Sequence, residues 1–160
     1  MGQERLNLVP PCGLYCGACV TYIACERGDS ERLVELAKRI SKYRGQDVEV
    51  TELTCEGCLS SGAIALFCRE CALRACAVKK GLRYCAQCPD VPCQLIIDFN
   101  NDGMGHHSEV IDNIRRQRDI GINAWLKEQD ERWHCPQCGC AVDWYARRCP
   151  ECDTALARQF

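Results

Sequence analysis

Cysteine is the residue type that gives this chain its most obvious capacity for chemistry. Seventeen of the 160 residues are cysteine, against three histidines. Most of them come as C-x2-C pairs, which are well placed to hold one metal ion and poorly placed to staple distant segments. The odd count and a start without an apolar signal segment also disfavour the disulfide scaffold of a secreted protein. The sequence therefore predicts a cytoplasmic protein whose thiols bind metal.

The clearest candidate site lies at the C-terminal end of the chain. Cys135, Cys138, Cys149 and Cys152 form two CPxC pairs separated by ten residues. Each pair predicts a tight turn that brings two sulfurs together, and the spacer has the length of a short β-hairpin. Four sulfurs about 2.3 Å from one ion make a closed tetrahedral zinc site, which is typical of a structural zinc ribbon. Cys140 lies outside the pairs and is expected to be a spare thiol.

Twelve further cysteines lie between residues 12 and 93, which is arithmetically three sites of four. If residues 68–80 form a helix, Cys68 and Cys71 share a face and can bind one ion. Cys76 would then lie about 12 Å from Cys68 along the helix axis, too far to join that ion. With the terminal site, this predicts about four Zn²⁺ ions. The three predicted groups are Cys55, Cys58, Cys68 and Cys71; Cys76, Cys85, Cys88 and Cys93; and Cys12, Cys16, Cys19 and Cys25.

Other uses of these twelve thiols stay open at this stage. Iron–sulfur centres also take four thiolates, so [4Fe–4S] clusters are an alternative to zinc between residues 12 and 93. His106 or His107 could replace Cys25 as the fourth N-terminal ligand, although exposed loop histidines are the simpler interpretation. The C-x3-C-x2-C spacing of Cys12, Cys16 and Cys19 occurs in radical S-adenosylmethionine enzymes. Those enzymes need a barrel of roughly 200 residues or more, and this chain shows no βα alternation.

The elements that must position these thiols are predicted to be helices. Asp29 or Ser30 can cap a helix that ends at Gly45, with Leu33, Ala37, Ile40 and Tyr43 on its apolar face. Ser108 can start another that ends at Gly121, and segments 94–99 and 122–132 are also helical in pattern. Leu, Ile, Val and Phe are too few for a large core. We therefore expect a mainly α, metal-stabilised, cysteine-rich domain over residues 1–131 and a β-hairpin zinc ribbon over residues 132–160.

Charge and hydropathy exclude some partners and leave others open. The net charge is −2, and no run of 18 apolar residues could span a membrane. Segment 69–83 is basic, but it has no interleaved aromatic residues, so nucleic acid is possible without being indicated. These cations are expected to stabilise neighbouring thiolates instead. A protein partner is the expectation that remains.

The ordered motifs resemble a cysteine-rich family of bacteria and archaea that is known only as a domain of unknown function. The resemblance covers roughly residues 10 to 127, and it implies metal binding, usually presumed to be zinc, without an activity. Val20 departs from the family pattern, where many members have Pro, and Cys25 stands where cysteine is often absent. The family motifs CGLxCxxCxxY, CxGC, CxxCxIRxCA and CxxCxxxPC correspond to Cys12, Cys16, Cys19 and Tyr22; Cys55 and Cys58; Cys68, Cys71 and Cys76; and Cys85, Cys88, Pro92 and Cys93.

These observations favour a multi-zinc-binding protein that serves as a structural or adaptor binding module. No P-loop, GxGxxG, HExxH or GxSxG motif is present, and no residues are assigned a catalytic role. An iron–sulfur or thiol redox protein that transfers electrons is one alternative, and a metal sensor or carrier is another. An enzyme with one open metal site remains a further alternative that the sequence favours less.

Overall fold

The computed structural model describes residues 3–157 and 160, and it is mainly helical, as predicted. Short 3₁₀ turns at 16–18, 50–53, 85–87 and 105–109 join the helices. None of the helices in the described residues is long and apolar enough to cross a bilayer. The helices are α1 (Gln3–Leu6), α2 (Val20–Arg27), α3 (Ser30–Arg44), α4 (Leu66–Arg69), α5 (Ala72–Lys79), α6 (Gln94–Asn100), α7 (Val110–Ile120) and α8 (Ile122–Arg132).

Helix α3 begins and ends where the sequence predicted. The Asp29 side chain accepts a hydrogen bond from the Arg32 N–H at 2.9 Å, which is an N-cap. Gly45 ends the helix with a φ of 68°, a left-handed conformation that glycine adopts without strain. The prediction that Tyr43 faces the core is wrong, since Tyr43 is 90% exposed. Instead, the returning chain contacts Ser41, whose hydroxyl accepts a hydrogen bond from the Val48 N–H.

Helices α7 and α8 pack against each other and confirm two further predictions. Gly121 ends α7 with a φ of 83°, and α8 begins at the next residue. Trp125 and Leu126 of α8 are fully buried. Ser108 does not cap α7, because it lies inside the preceding 3₁₀ turn and its hydroxyl donates to the Gly105 carbonyl at 2.6 Å.

The predicted continuous helix over residues 68–80 is interrupted. Helix α4 ends at Arg69, and α5 begins only at Ala72, because Cys71 has extended backbone angles (φ −68°, ψ 118°). Cys68 and Cys71 therefore do not share a helix face. The late start of α5 also removes the reason for separating Cys76 from Cys68 by distance along one axis.

Three small hydrophobic clusters hold residues 6–133 together, rather than one large core. One joins α2, α3 and the 50–53 turn around Leu36 and Leu53. A second surrounds Trp125 and includes Trp133, at the start of the C-terminal segment. The third packs Ile96 and Ile114 directly against buried thiols, including those of Cys12, Cys85 and Cys88. The cysteines are thus part of the core that the sparse aliphatic residues leave incomplete.

Two glycines allow the thiol-bearing loops to approach their neighbours closely. Gly13 has a φ of 83°, and a Cβ there would lie 2.8 Å from the Ile114 side chain of α7. Gly57 has a φ of 103°, and a Cβ there would lie 2.6 Å from the Asn7 carbonyl oxygen. A side chain at either position would force strained backbone angles as well as a clash. The glycines of CGLYC and CEGC therefore set where these loops lie in the fold.

The predicted C-terminal β-hairpin is not found within residues 3–157 and 160, which contain no strand. Two isolated antiparallel bridges occur instead, His134 with Ala141 and Arg148 with Ala155. Each bridge closes one CPxC turn on itself. The spacer does not pair along its length, because the Trp144 N–H donates to the Ala18 carbonyl at 3.2 Å and ties this segment to the rest of the fold. We call residues 133–157 the terminal module.

Candidate metal centre

Four thiols of the terminal module converge on one point. The sulfurs of Cys135, Cys138, Cys149 and Cys152, here called the terminal quartet, all lie within 4.8 Å of one another. Cys135 Sγ is 3.6 Å from Cys152 Sγ, and Cys138 Sγ is 3.5 Å from Cys149 Sγ. Thiolates on one tetrahedral zinc ion are roughly 4 Å apart, given metal–sulfur bonds near 2.3 Å. The terminal quartet can therefore hold a metal ion.

Two equivalent turns produce this convergence. In the first, the Gly139 N–H donates to the Cys135 carbonyl, and the Cys135 N–H donates to the Cys140 carbonyl, both at 2.8 Å. In the second, the Asp153 N–H donates to the Cys149 carbonyl at 3.0 Å. Gly139 and Asp153 occupy matching positions with φ values of 74° and 57°, so both turns use a left-handed residue. Arg148 holds Asp153 in place through two hydrogen bonds of 2.6 Å to its carboxylate.

The hydrogen bonds of the second turn favour the thiolate form of its cysteines. Burial opposes ionisation of Cys149, but backbone N–H groups of Cys152 and Glu151 and the neighbouring Cys140 and Cys138 thiols outweigh it and lower its pKa to about 6. The pKa of Cys152 is lowered as well, first by hydrogen bonding to the Thr154 hydroxyl. A thiol must lose its proton to bind a metal, so these contacts prepare both sulfurs for coordination.

Cys140 lies beside the terminal quartet but outside it. Its sulfur is 3.2 Å from that of Cys149, yet Cys140 is not among the thiols that lie within 4.8 Å of one another. The next residue anchors the module: the Arg27 guanidinium of α2 donates to the Ala141 carbonyl at 2.9 Å. That Cys140 is a spare thiol stays a prediction.

We call the twelve cysteines from Cys12 to Cys93 the body thiols. Their arrangement differs from that of the terminal quartet. Within residues 3–157 and 160, no second set of three or more thiol, imidazole or carboxylate groups lies within 4.8 Å. The three predicted quartets therefore stay predictions. The body thiols nevertheless lie near one another, in two neighbourhoods that cross the predicted groups.

The first neighbourhood joins the CGLYCGAC loop to the CEGC loop. The Cys68 thiol donates a hydrogen bond to Cys58, which lowers the pKa of Cys58 and raises that of Cys68. Cys16 accepts a hydrogen bond from the Cys58 backbone N–H, and its charge is repelled by those of Cys19, Cys58 and Cys55. Cys25, the uncertain fourth N-terminal ligand, lies nearby, and its thiol donates to the Leu53 carbonyl at 3.5 Å.

The second neighbourhood surrounds Cys85. Its pKa is raised to about 11, first by burial and then by the charges of nearby cysteines. Cys71 and Cys93 sit at the N-terminal caps of α5 and α6, so both sulfurs project from helix ends. The cysteines whose charges act on Cys85 are Cys93, Cys76, Cys88 and Cys71.

Burial keeps many body thiols protonated. It raises the pKa of Cys12 and of Cys16 well above its usual value, and it raises that of Cys19 to about 11. Nearby thiolates raise these values further, because like charges repel. A bound cation would supply the opposite charge that these thiols lack. The buried thiols are therefore poor nucleophiles on their own.

The basic segment supplies charge to this region, as the sequence predicted. Lys80 Nζ is 3.4 Å from Cys88 Sγ and 2.6 Å from Asp90 Oδ2. The Arg74 guanidinium donates to the Cys58 carbonyl at 3.0 Å, and its charge helps to lower the pKa of Cys58. These contacts bring cations from α5 and its C-terminal end to thiols of both neighbourhoods.

One positioning residue was missed by sequence reasoning. Arg118 of α7 donates to the carbonyls of Ala86, Cys88 and Val91 at 2.9, 2.6 and 3.2 Å. These three acceptors span the CAQCPDV loop, so a single guanidinium fixes the backbone that carries Cys88. No local signal marks Arg118, because its acceptors lie about 30 residues earlier in the chain.

The histidines do not complete a thiol site in the described residues. His106 is buried rather than exposed, stacks on Trp144 with ring centroids 4.0 Å apart, and has Nδ1 2.7 Å from the Tyr145 hydroxyl. Burial, and then the charge of His107, lowers its pKa to about 3. His107 pairs with Asp102 at 2.8 Å instead of with a cysteine. His106 therefore serves to dock the terminal module.

Comparison with known proteins identifies the family but no relative of known activity. No curated protein and no solved structure matches the chain. A family model matches residues 8–98, which include all twelve body thiols but not the terminal quartet. The matched region is shorter than the resemblance seen in the sequence, which extended to residue 127. The chain belongs to the family described as Protein of unknown function (DUF3795).

Proposed function

We propose that this chain is a multi-metal-binding protein in which zinc stabilises a binding or adaptor module. The convergence of the terminal quartet within 4.8 Å carries the proposal. The four thiols come from two closed turns, so a bound ion would have no open position for a substrate. Zinc is the metal most commonly held by four thiolates in such turns. The site therefore fits a structural role better than a catalytic one.

The fold itself supports dependence on metal. Its hydrophobic clusters are small, and two of them are built partly from buried thiols. A structural zinc ion in a small domain supplies roughly 10 kcal/mol or more of folding free energy. Bound ions would therefore supply folding free energy that the sparse aliphatic core does not. They would also give the module a rigid surface for a protein partner.

An iron–sulfur protein is the second candidate, and it concerns the body thiols alone. Those thiols gather in two neighbourhoods without meeting the 4.8 Å spacing of the terminal quartet. Thiolates on a single tetrahedral ion must lie about 4 Å apart, whereas a multi-iron cluster separates its thiolates by its own width. The wider arrangement of the body thiols is the observation that favours this second candidate.

One measurement on untagged protein, purified without oxygen, tests both proposals. Zinc of three to four equivalents in a colourless protein is the expected result. Stoichiometric iron and sulfide with a brown colour would favour the iron–sulfur candidate for the body. The variant Cys149→Ser should lose one zinc equivalent, whereas the matched control Cys140→Ser should lose none. Protein that folds fully without any metal would contradict the proposal.

A further inference from the structure

A cleft of about 320 Å³ lies between helices α2 and α8 and the terminal module. Its volume is at the lower end of the range for small-molecule sites, so a ligand there must be small. The cleft is distinct from the terminal quartet, and none of the seventeen cysteines lines it. Its apolar lining comes from Leu8, Ile23 and Ala141, and its polar lining from Arg5, Tyr15, Tyr22, Glu26, Arg27, Asp130 and His134.

One half of the polar lining, made of Arg5, Tyr15, Asp130 and His134, forms hydrogen bonds and an ion pair within itself. Both carboxylate oxygens of Asp130 are engaged: Oδ1 accepts from the Tyr15 hydroxyl at 2.5 Å, and Oδ2 pairs with Arg5. His134 Nδ1 lies 2.5 Å from the Asp130 carbonyl. Asp130 and Arg5 thus neutralise each other, and Tyr15 is fixed in a buried position. This half forms a rigid, neutral wall.

The other half leaves one charge of each sign facing the cleft. Glu26 and Arg27 are consecutive residues in the last turn of α2. Glu26 is exposed, and its hydrogen-bond partner is the uncharged Tyr22 hydroxyl. Arg27 donates to the Ala141 carbonyl at 2.9 Å and forms a partly exposed ion pair with Glu151 at 3.6 Å. A guanidinium has five donors, so Arg27 can also bind a ligand anion.

We propose that this cleft binds a small zwitterion, an α-amino acid with a small apolar side chain. The ligand carboxylate would bind Arg27, its ammonium group would bind Glu26, and its side chain would lie against Leu8 and Ile23. A purely anionic ligand would be repelled by Glu26, and a purely cationic ligand would be repelled by Arg27. The limited volume excludes longer peptides, except those that place only one residue in the cleft.

Valine and two of its derivatives test the proposal by ligand-observed NMR on the metal-loaded full-length protein. N-acetylvaline lacks the ammonium charge, and valinamide lacks the carboxylate charge. Valine should bind, and each derivative should bind at least about tenfold more weakly, because each loses a charged hydrogen bond. Leucine should behave like valine, and glutamate and lysine should bind more weakly than either.

Two variants assign the charges. Glu26→Gln should weaken valine at least about tenfold and abolish the preference for valine over N-acetylvaline. Arg27→Gln should abolish the preference for valine over valinamide. Glu31→Gln and Arg39→Gln are the matched controls, since both residues are exposed on α3 outside the cleft, and both should leave binding unchanged.

Three results would overturn the proposal. They are no binding of valine, leucine, glutamate or lysine at about 10 mM, equal binding of valine and both derivatives, and no effect of Glu26→Gln. If Arg27→Gln detaches the terminal module, Glu26→Gln decides the case. Glu26 bonds to Tyr22 and, within the described residues, has no hydrogen bond or ion pair with that module. Metal content and melting temperature, measured alongside, separate this outcome from a failure to bind zinc.

Discussion

The terminal quartet and the body thiols gather cysteines in opposite ways. The quartet comes from 18 consecutive residues, and the pKa values of Cys149 and Cys152 are lowered. The pKa of Cys138 is raised, because its bond to the Cys140 backbone is outweighed by hydrogen bonding with the Cys149 thiol and by burial. The body thiols come from loops and helix ends spread over 82 residues, and burial raises the pKa of several, including Cys12 and Cys16. The second turn of the local site thus prepares its two sulfurs for an ion. The body requires the whole fold to bring its thiols together.

The contrast teaches which part of the molecule should depend on which forces. Hydrogen bonds within each turn set the geometry of the terminal quartet. The body thiols depend on packing against α7, on cations from α5 and on a guanidinium that spans a loop. The variants below separate these contributions, from the largest expected effect to the smallest.

Removing one ligand of the terminal quartet should have the largest effect. Cys149→Ser should lose one equivalent of metal and unfold the terminal module, because structural zinc supplies roughly 10 kcal/mol or more. Elemental analysis and NMR of the metal-loaded protein would measure the two effects. Retention of the metal would show that Cys149 is not a required ligand, and loss of more than one equivalent would show that the quartet and the body are not separate sites.

Arg118→Gln should destabilise the body without touching any thiol. The change removes charged hydrogen bonds to three carbonyls of the CAQCPDV loop, and we expect a loss of about 2–4 kcal/mol in the free energy of unfolding. Urea denaturation of the metal-loaded protein measures it. Arg115→Gln is the control on the same helix, since its exposed ion pair with Asp112 should be worth about 0.5 kcal/mol or less. Equal effects of the two variants would contradict the role of Arg118.

Trp144→Ala should loosen the docking of the terminal module on the body. The indole ring stacks on His106, and half-buried aromatic contacts of this kind are worth about 1–3 kcal/mol. The module should keep its metal, because its turns close on themselves, while its stacking contact with His106 is lost. NMR would detect the looser docking. Tyr43→Ala, at a side chain that is 90% exposed, should change nothing and serves as the control.

Cys140→Ser should have the smallest effect. Metal content should stay the same, and stability should change by about 0.5 kcal/mol or less, because the residue lies outside the quartet. Elemental analysis and thermal melting measure both. Loss of a metal equivalent would instead make Cys140 a ligand and would require a new account of how the terminal module binds its ion.

The sequence predicted the features that depend on neighbouring residues. The capping of α3 by Asp29 and Gly45 was predicted because a helix cap is a local hydrogen-bonding problem. The terminal quartet was predicted for the same reason, since each CPxC turn closes on itself. The prediction of a hairpin was wrong because the Trp144 N–H bonds to the distant Ala18 carbonyl. No pattern within the spacer reveals this contact.

Features that depend on distant contacts could not be predicted in this way. The helix break before α5 invalidated the argument that grouped Cys68 with Cys71. The hydrogen bond between Cys58 and Cys16 joins residues 42 positions apart, so spacing alone gives no reason to pair them. The cleft beside Glu26 and Arg27 forms only once α8 and the terminal module meet α2. The domain boundary at residue 131 stays a prediction.

Within each turn of the terminal module one cysteine is exposed and the other is buried, and this has a kinetic consequence. Cys138 and Cys152 are exposed, whereas Cys135 and Cys149 are buried. An attacking chelator or a thiol of another protein would approach an ion held there from the exposed side and displace those two sulfurs first. The buried sulfurs of Cys135 and Cys149 would stay bound longest. Transfer of the metal should therefore pass through an intermediate in which these two ligands still hold the ion.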